Sequence, residues 1–219
     1  MGSINLTKEN AGPGNGANLD GVTKLRFGAS WDPSSRGKGG LLGKLSTRGG
    51  ADLDLIAVLM QGAKAVKYVG LDNLDPLKRK EEKVAGPIVH SGDETQGKKA
   101  GDDEMIDVDF SRISTSYDAI FFTVAVFKSG GMSTAMQDQG FQGAKNVEFH
   151  LYNTSGATPV MDAEIMPDLA GKENCCLIAK VSRTHPSDTS APWKIEVYEE
   201  MVTITAGSMP SLLDQVRGR

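Results

Sequence analysis

The amino-acid sequence predicts an all-β protein, a two-sheet β-sandwich with decorated loops and one or two short helices. Some segments alternate apolar with polar residues and others are apolar throughout, while helical periodicity is scarce. In "TKLRFGASW", residues 23–31, the apolar Leu25, Phe27 and Ala29 alternate with polar or small residues. A strand with this pattern has one buried and one wet face.

Further segments extend the strand pattern. "MIDVDF" (105–110) and "NVEFHLY" (146–152) alternate in the same way. "DLIAVLM" (54–60) and "AIFFTVAVF" (119–127) are apolar throughout, which suits strands covered on both faces. Five more segments have strand character: "SINLTK" (3–8), "AVKYVGL" (65–71), "PVMDAEI" (159–165), "CLIAKVS" (176–182) and "WKIEVYEEMVTIT" (193–205). The last of these could form two short strands or one bent strand. About ten short strands at this spacing are typical of a sandwich or barrel.

Two segments have helical character. "SLLDQVRGR" (211–219) follows a proline and could form a brief helix, and "MSTAMQDQG" (132–140) could form another. No repeat period is evident. We therefore expect residues 1–219 to form a single β-sandwich domain.

The composition narrows the class of function. A net charge of −4 argues against nucleic-acid binding, which needs a basic face. No apolar run reaches the length of a membrane-spanning helix, and the N-terminus does not resemble a secretory signal. Cys175 and Cys176 are adjacent and far from any zinc spacing. Neighbours on a strand point to opposite faces, so we expect two buried thiols in a reducing compartment and a cytoplasmic protein.

Catalytic motifs are not recognisable. "GKGGLLGKL" superficially resembles a phosphate loop, but Lys38 replaces the first required glycine and Leu45 replaces the Ser or Thr that holds magnesium. His90, His150 and His185 are isolated in sequence, and no serine lies in a nucleophile elbow. We therefore expect a protein that is not an enzyme.

Carboxylates are concentrated at two places. "HSGDETQGKKAGDDE", residues 90–104, is acidic and glycine-containing, and Asp52 and Asp54 begin a strand with both side chains on one face. Like charges so close repel each other, and a calcium ion with its oxygen ligands would offset this repulsion. The alternative is a solvated acidic loop whose charges protect a sheet edge. An EF-hand is excluded because Lys98 stands where its glycine is required.

Several segments resemble, in order, the TerD family of tellurite-resistance and stress-response proteins, which includes bacterial calcium-binding stress proteins. The resemblance runs from about residue 4 to about residue 155 and combines a W-D strand end, a D-x-D strand and a closing GDDE in register. The segments are "INLTKENAG", "VTKLRFGASWD", "GADLDLIAVLM", "HSGDETQGKKAGDDEMIDVDFSRI", "YDAIFFTVAVF" and "GFQGAKNVEFHLYN".

The resemblance implies a β-sandwich that binds Ca2+ through acidic loops at one end, with no established catalytic activity. Residues matching the family's acidic motifs become candidate metal ligands, with Asp32 the weakest of them: Asp32, Asp52, Asp54, Asp93, Asp102, Asp103 and Glu104.

This sequence also departs from the family pattern. Glu94 replaces an Asn, Lys98, Lys99 and Ala100 occupy positions that are usually acidic or glycine, and Ile56 replaces a further Asp. Ammonium groups near the ion and fewer anionic ligands would weaken calcium binding.

Two functions from different classes follow. One is a calcium-responsive binding module in a stress or tellurite-resistance system, with an unidentified protein partner such as another tellurite-resistance protein. The other is a metal-independent scaffold that has lost tight calcium binding. Residues 33–50 carry four basic residues and no acid, which suggests either a docking loop for an acidic partner or a mobile loop.

Overall fold

Strands make up most of the described chain. The computed structural model describes residues 6, 8–33, 53–81, 83–92, 101–127, 141, 144–165, 167, 169, 173–205 and 208–219. In these ranges the strands are β1 (Ala17–Asn18), β2 (Lys24–Pro33), β3 (Asp54–Gln61), β4 (Lys64–Val69), β5 (Ile88–His90), β6 (Glu104–Asp109), β7 (Ala119–Ala125), β8 (Ala144–Asn153), β9 (Val160–Ile165), β10 (Cys175–Arg183) and β11 (Trp193–Val202). The helices are α1 (Lys8–Ala11), a single 3-10 turn (Phe110–Arg112) and α2 (Met209–Val216).

The strands form two antiparallel sheets. One has the order β1-β11-β10-β7-β3-β4 and the other the order β5-β6-β2-β8-β9. The two sheets share one buried apolar cluster, to which both contribute side chains. The prediction of an all-β, two-sheet sandwich is confirmed.

Aromatic side chains fill the space between the sheets. Phe27 of β2 stacks on Phe122 of β7, with ring centroids 4.5 Å apart and planes 6° from parallel. Phe149 of β8 lies 6.1 Å from Phe27 between ring centroids. All three rings are fully buried, so the inward residues of the alternating segments form the core that holds the sheets together.

The six-stranded sheet is covered on both faces. Its outer face packs under helix α2, where Ile56 and Phe121 belong to the same buried cluster as Leu212 and Val216. The helix begins after Ser208, whose side chain accepts a hydrogen bond from the backbone N–H of Ser211. This second cluster explains why β3 and β7 are apolar throughout, whereas the strands of the five-stranded sheet alternate.

One strand prediction is resolved, and another is wrong at the two residues of it that the structure describes. The segment 193–205 contains one bent strand, β11, with a bulge opposite Ile178 and Glu199 at a φ of 46°. In "SINLTK" the described residues are Leu6, which is not in a strand, and Lys8, which begins α1. The chain continues "KENA", and these residues are depleted in strands.

The remaining predictions concern the helices, the basic segment, membrane spans and the domain assignment. The C-terminal helix is confirmed, while the helix expected at 132–140 and nearly all of the basic segment 33–50 lie outside the described residues. In the described ranges no helix is both long and apolar enough to cross a membrane. The single-domain assignment of residues 1–219 stays a prediction.

The two thiols lie on opposite faces of the six-stranded sheet, as adjacent strand residues must. Cys175 belongs to the cluster under α2 and Cys176 to the core between the sheets, and both are fully buried free cysteines. Burial raises the pKa of the Cys175 thiol to about 12. The nucleophilic thiolate is therefore almost absent from the folded protein at neutral pH.

We expect Leu212→Ala to destabilise the protein by about 2–5 kcal/mol, because it removes a fully buried side chain from the cluster under α2. Urea unfolding measures the change. Asp214→Asn, at an exposed position on the same helix, is the control and should change stability by less than about 0.5 kcal/mol. Equal effects of the two substitutions would show that α2 does not pack on the sheet.

We expect native Cys175 to resist alkylation by iodoacetamide at both pH 7 and pH 9, since its pKa of about 12 lies above this range. Mass spectrometry of the labelled protein, with and without denaturant, is the measurement. Both cysteines should react once the chain is unfolded. Rapid labelling of Cys175 in the folded protein would contradict its burial under α2.

Candidate functional site

A buried acid–histidine pair joins the two sheets at one end of the sandwich. The backbone N–H of Leu55 in β3 donates to Glu104 Oε2 at 2.8 Å, and the Leu55 carbonyl lies 3.1 Å from His90 Nε2. The pairing of β4 with β3 stops at Ala57, so Leu55 lies beyond the last residue that β4 pairs with. Glu104 and His90, from β6 and β5 of the opposite sheet, supply the partners at this position.

The hydrogen bonds of His90 define its tautomer. Its Nδ1 accepts from the backbone N–H of Gly92 at 3.0 Å, so Nε2 carries the proton. That N–H points to the Leu55 carbonyl and lies 3.3 Å from Glu104 Oε2. Both side chains are completely buried, and this network compensates for removing them from water. We call His90, Glu104 and Leu55 the inter-sheet clamp.

Asp103 makes an equivalent contact with the end of β2. Its Oδ2 accepts from the backbone N–H of Trp31 at 3.0 Å, while its own N–H donates to the carbonyl of Ala29 at 2.8 Å. The side chain is 2% exposed. Asp103 therefore supplies hydrogen-bond partners to the backbone at the end of β2, next to the clamp.

These contacts bring three sequence motifs to one end of the sandwich. Asp103 holds the W-D strand at Trp31, Glu104 holds the D-x-D strand at Leu55, and both acids belong to the closing DDE. Asp54 is buried and directly precedes the clamped Leu55. Asp32 is exposed and accepts from Asn146 Nδ2 at 2.7 Å.

The remaining predicted ligands divide into two groups. Asp52 and Asp93 lie outside the described residues, as do Lys98, Lys99 and Ala100. Asp102 is described, but it points to the outer face of the five-stranded sheet rather than into the sandwich. Ile56 is buried under α2, on the face of β3 that Asp54 shares.

Asp102 lies against Gly28 of β2 and binds His150 of β8. A Cβ atom added to Gly28 would come within 2.1 Å of Asp102 Oδ2, so this approach requires glycine. Asp102 Oδ1 is 2.5 Å from His150 Nδ1. The pKa of His150 is raised, chiefly by this hydrogen bond and further by the charges of Asp102, Glu148 and Glu164, against an opposing effect of burial.

Tyr152 belongs to the same outer surface. Burial, followed by its hydrogen bond with Asp102, raises the pKa of Tyr152 to about 12. Arg26 on the neighbouring strand makes a two-pronged contact with Asp107, at 2.7 and 2.9 Å. The outer face of the five-stranded sheet thus carries a connected polar network centred on Asp102.

Glu148, His150 and Glu164 lie beside this network. Their ligand atoms lie within 4.8 Å of one another, the one such group of three in the part of the chain that the structure describes. Sequence reasoning missed these residues and the clamp histidine. The alternation of Glu148 and His150 on a wet strand face was a usable signal, but it does not reveal Glu164 on the next strand.

The decisive comparison is with family models. The TerD domain model matches residues 3–203. The chain belongs to the TerD family. This match extends beyond the region of about residues 4–155 in which the family's motifs are recognisable in the sequence.

Individual relatives agree with this assignment. The chain is 33% identical to the tellurium resistance protein TerZ of Serratia marcescens over 127 residues, which cover 58% of this chain and 57% of TerZ. It is 26% identical to the stress response protein SCP2 of Bacillus subtilis over 199 residues, covering 90% and 87% of the two chains. Only somewhat more than half of TerZ is thus matched.

A solved structure shows the same TerD fold. It is the crystal structure of a homologue of the telluride resistance protein TerD from Streptomyces coelicolor A3(2). Its TM-score is 0.59 at 18% identity, and the match covers 90% of this chain and 97% of that one. At this identity the likeness concerns the fold.

We expect Glu104→Ala to destabilise the protein by at least about 1–3 kcal/mol in the presence of a chelator. It leaves the buried Leu55 N–H without its carboxylate acceptor, and that cost does not depend on calcium. Urea unfolding measures the loss. Glu104→Gln keeps an oxygen acceptor and should lose less.

The control is Asp107→Ala, which removes a carboxylate from an exposed pair worth about 0–1 kcal/mol. A Glu104→Ala variant that is as stable as the control in chelator would contradict the structural role of the clamp.

Proposed function

We propose that this TerD-family protein is a calcium-responsive, non-catalytic binding module of a stress-response or tellurium-resistance system. One observation carries the proposal. Buried carboxylates from two different sheets, Asp54 of β3 and Asp103 and Glu104 beside β6, lie at the same end of the sandwich, with Glu104 bonded to Leu55, the residue after Asp54. In the sequence, segment 93–100, with two acids and two lysines, lies between His90 and Asp103.

The chemistry of these residues fits a hard cation. Calcium takes six to eight oxygen ligands and prefers carboxylates combined with backbone carbonyls. Asp54 and Asp103 would hold the ion together with Asp52 and Asp93, which the neighbouring segments supply. Asp102, Asp103 and Glu104 each have a protein partner in this structure, so each would orient the site or bind the ion through an oxygen that this contact leaves available.

Calcium would supply the positive charge that lets Asp93 and the rest of segment 93–100 pack against this end. Ordering the segment would create a surface for a protein partner, for which another tellurite-resistance protein is our candidate. The names of TerZ and SCP2 support the cellular context. A cytoplasmic location belongs to this proposal and rests on the two buried free thiols.

The absence of catalysis is likewise part of the proposal. Its support is that His90 is committed to the clamp and His150 to Asp102. Neither imidazole contacts a hydroxyl or thiol in the hydrogen bonds given above, and the hydroxyl of Thr184, which lies 3.3 Å from Nδ1 of the exposed His185, donates to the Pro192 carbonyl. A substrate-converting site would need other groups than these.

A metal-independent scaffold is the second candidate, and a specific observation favours it. Asp103 and Glu104 accept backbone N–H donors and therefore stabilise the fold without an ion. Within the described ranges, the predicted acids do not form a group of three with ligand atoms within 4.8 Å. In that case the acidic motif would have a structural role alone.

A calcium titration separates the two functions. If calcium binds only the folded state, a concentration one hundred times the Kd adds about 2.7 kcal/mol of stability. For a chain of this size that is a rise in Tm of roughly 5–10 °C. Thermal unfolding of the chelator-stripped protein, with magnesium as the ionic control, measures it.

The double variant Asp52→Asn/Asp54→Asn should lose this response. Asp214→Asn, which removes an exposed carboxylate on α2, should keep it. A flat Tm up to millimolar calcium, with an unchanged or more stable double variant, would establish the scaffold and reject calcium binding.

A further inference from the structure

Three metal-ligating side chains share the outer face of the five-stranded sheet. Glu148 and His150 are two residues apart on β8 and therefore point to the same side. Glu164 of β9 pairs directly with His150 in the sheet register. Because paired strands fix these positions, the ligand atoms lie within 4.8 Å of one another before any ion is bound.

A carboxylate outside this group orients His150 for metal coordination. An ionised carboxylate only accepts hydrogen bonds, so Nδ1 donates to Asp102 at 2.5 Å and Nε2 faces the other acids. Nε2 lies 3.7 Å from Glu148 Oε2. Two ligand atoms of one zinc ion, each about 2.0–2.2 Å from the metal, can lie this far apart.

The carboxylate that orients His150 is itself held by the fold. Asp102 occupies the space above Gly28 in which a Cβ would stand. Histidine ligands of metal ions commonly donate their other N–H to such a carboxylate, which fixes the ring and raises the basicity of the coordinating nitrogen. Asp102 is thus a positioning residue, independent of the three ligands.

The local charge also favours a cation. Three carboxylates, Asp102, Glu148 and Glu164, lie around one imidazole. Arg26, on the same face, is engaged by Asp107 through both prongs of its guanidinium. Even with a protonated imidazole, the group of three carboxylates and one histidine carries net negative charge.

We propose that Glu148, His150 and Glu164 form a binding site for a divalent transition-metal ion of the zinc class, with Asp102 positioning the imidazole. One nitrogen and two carboxylate oxygens suit Zn2+, whereas Ca2+ and Mg2+ prefer oxygen ligands throughout. The site lies outside the sandwich, away from the buried clamp. The inference therefore goes beyond the proposed calcium function and shares only Asp102 with it.

Calorimetric titration of the chelator-stripped full chain with Zn2+ tests the proposal. We expect one zinc ion per chain, not displaced by millimolar calcium or magnesium. Affinity should fall at least about tenfold in His150→Gln and in Glu164→Gln, and about 10–100-fold in Asp102→Asn. His185→Gln replaces an exposed histidine elsewhere and should bind zinc as the parent protein does.

Imidazole NMR supplies a readout that a structural role would not produce. Zinc should shift the Nε2 resonance of His150 while the Nδ1–H to Asp102 persists. No zinc binding, binding unchanged in His150→Gln, or equal displacement by calcium would each overturn the proposal. Should His150→Gln fail to fold, Glu164→Gln at its exposed position tests the same ligand set, and unchanged zinc affinity in that variant would overturn the proposal equally.

Discussion

The fold depends on how the backbone of Leu55 is satisfied. A buried N–H or carbonyl without a hydrogen-bond partner lowers the stability of the folded state. The N–H and the carbonyl of Leu55 lie beyond Ala57, the last residue of β3 that pairs with β4. Glu104 and His90 act as a substitute strand by offering an acceptor and a donor from the opposite sheet. A sandwich is normally held by apolar contact between its layers, and the clamp adds a directional link that fixes how the sheets align at this end.

The acidic motif therefore has a structural role in addition to its proposed role in calcium binding. Asp103 and Glu104 stand next to each other but serve different strands, since adjacent side chains diverge. Asp102, one residue earlier, turns to the outer surface and binds His150. Three consecutive carboxylates therefore reach three places: the end of β2, the edge of β3 and the wet face of the five-stranded sheet. A run of acids that looks redundant in sequence is divided among distinct partners in space.

The sequence predicted the strands well because burial has a period that can be read locally. It distinguished the doubly covered β3 and β7 from the alternating β2, β6 and β8, and it placed the cysteines on opposite faces. The pairing of distant residues has no such local signature. His90 and His150 look isolated in the sequence because only the folded sheet brings them to their partners, Glu104 and Asp102. Strands β1 and β5 are too short to show a period, and the strand predicted for residues 3–8 overlaps α1 at Lys8.

The residues on either side of segment 93–100 are anchored by the sandwich itself. Ser91 donates its N–H to the carbonyl of Met105, and its hydroxyl accepts from the Met105 N–H. Gly92 donates to His90, and Asp102 is bound to His150. Residues 93–100 therefore connect two fixed points, and the entropy of closing such a connection grows slowly, by only about 0.6 kcal/mol for each doubling of length. Residues added, lost or exchanged between these two anchored ends would therefore cost the sandwich little, so the proposed calcium response could be altered without rebuilding the core.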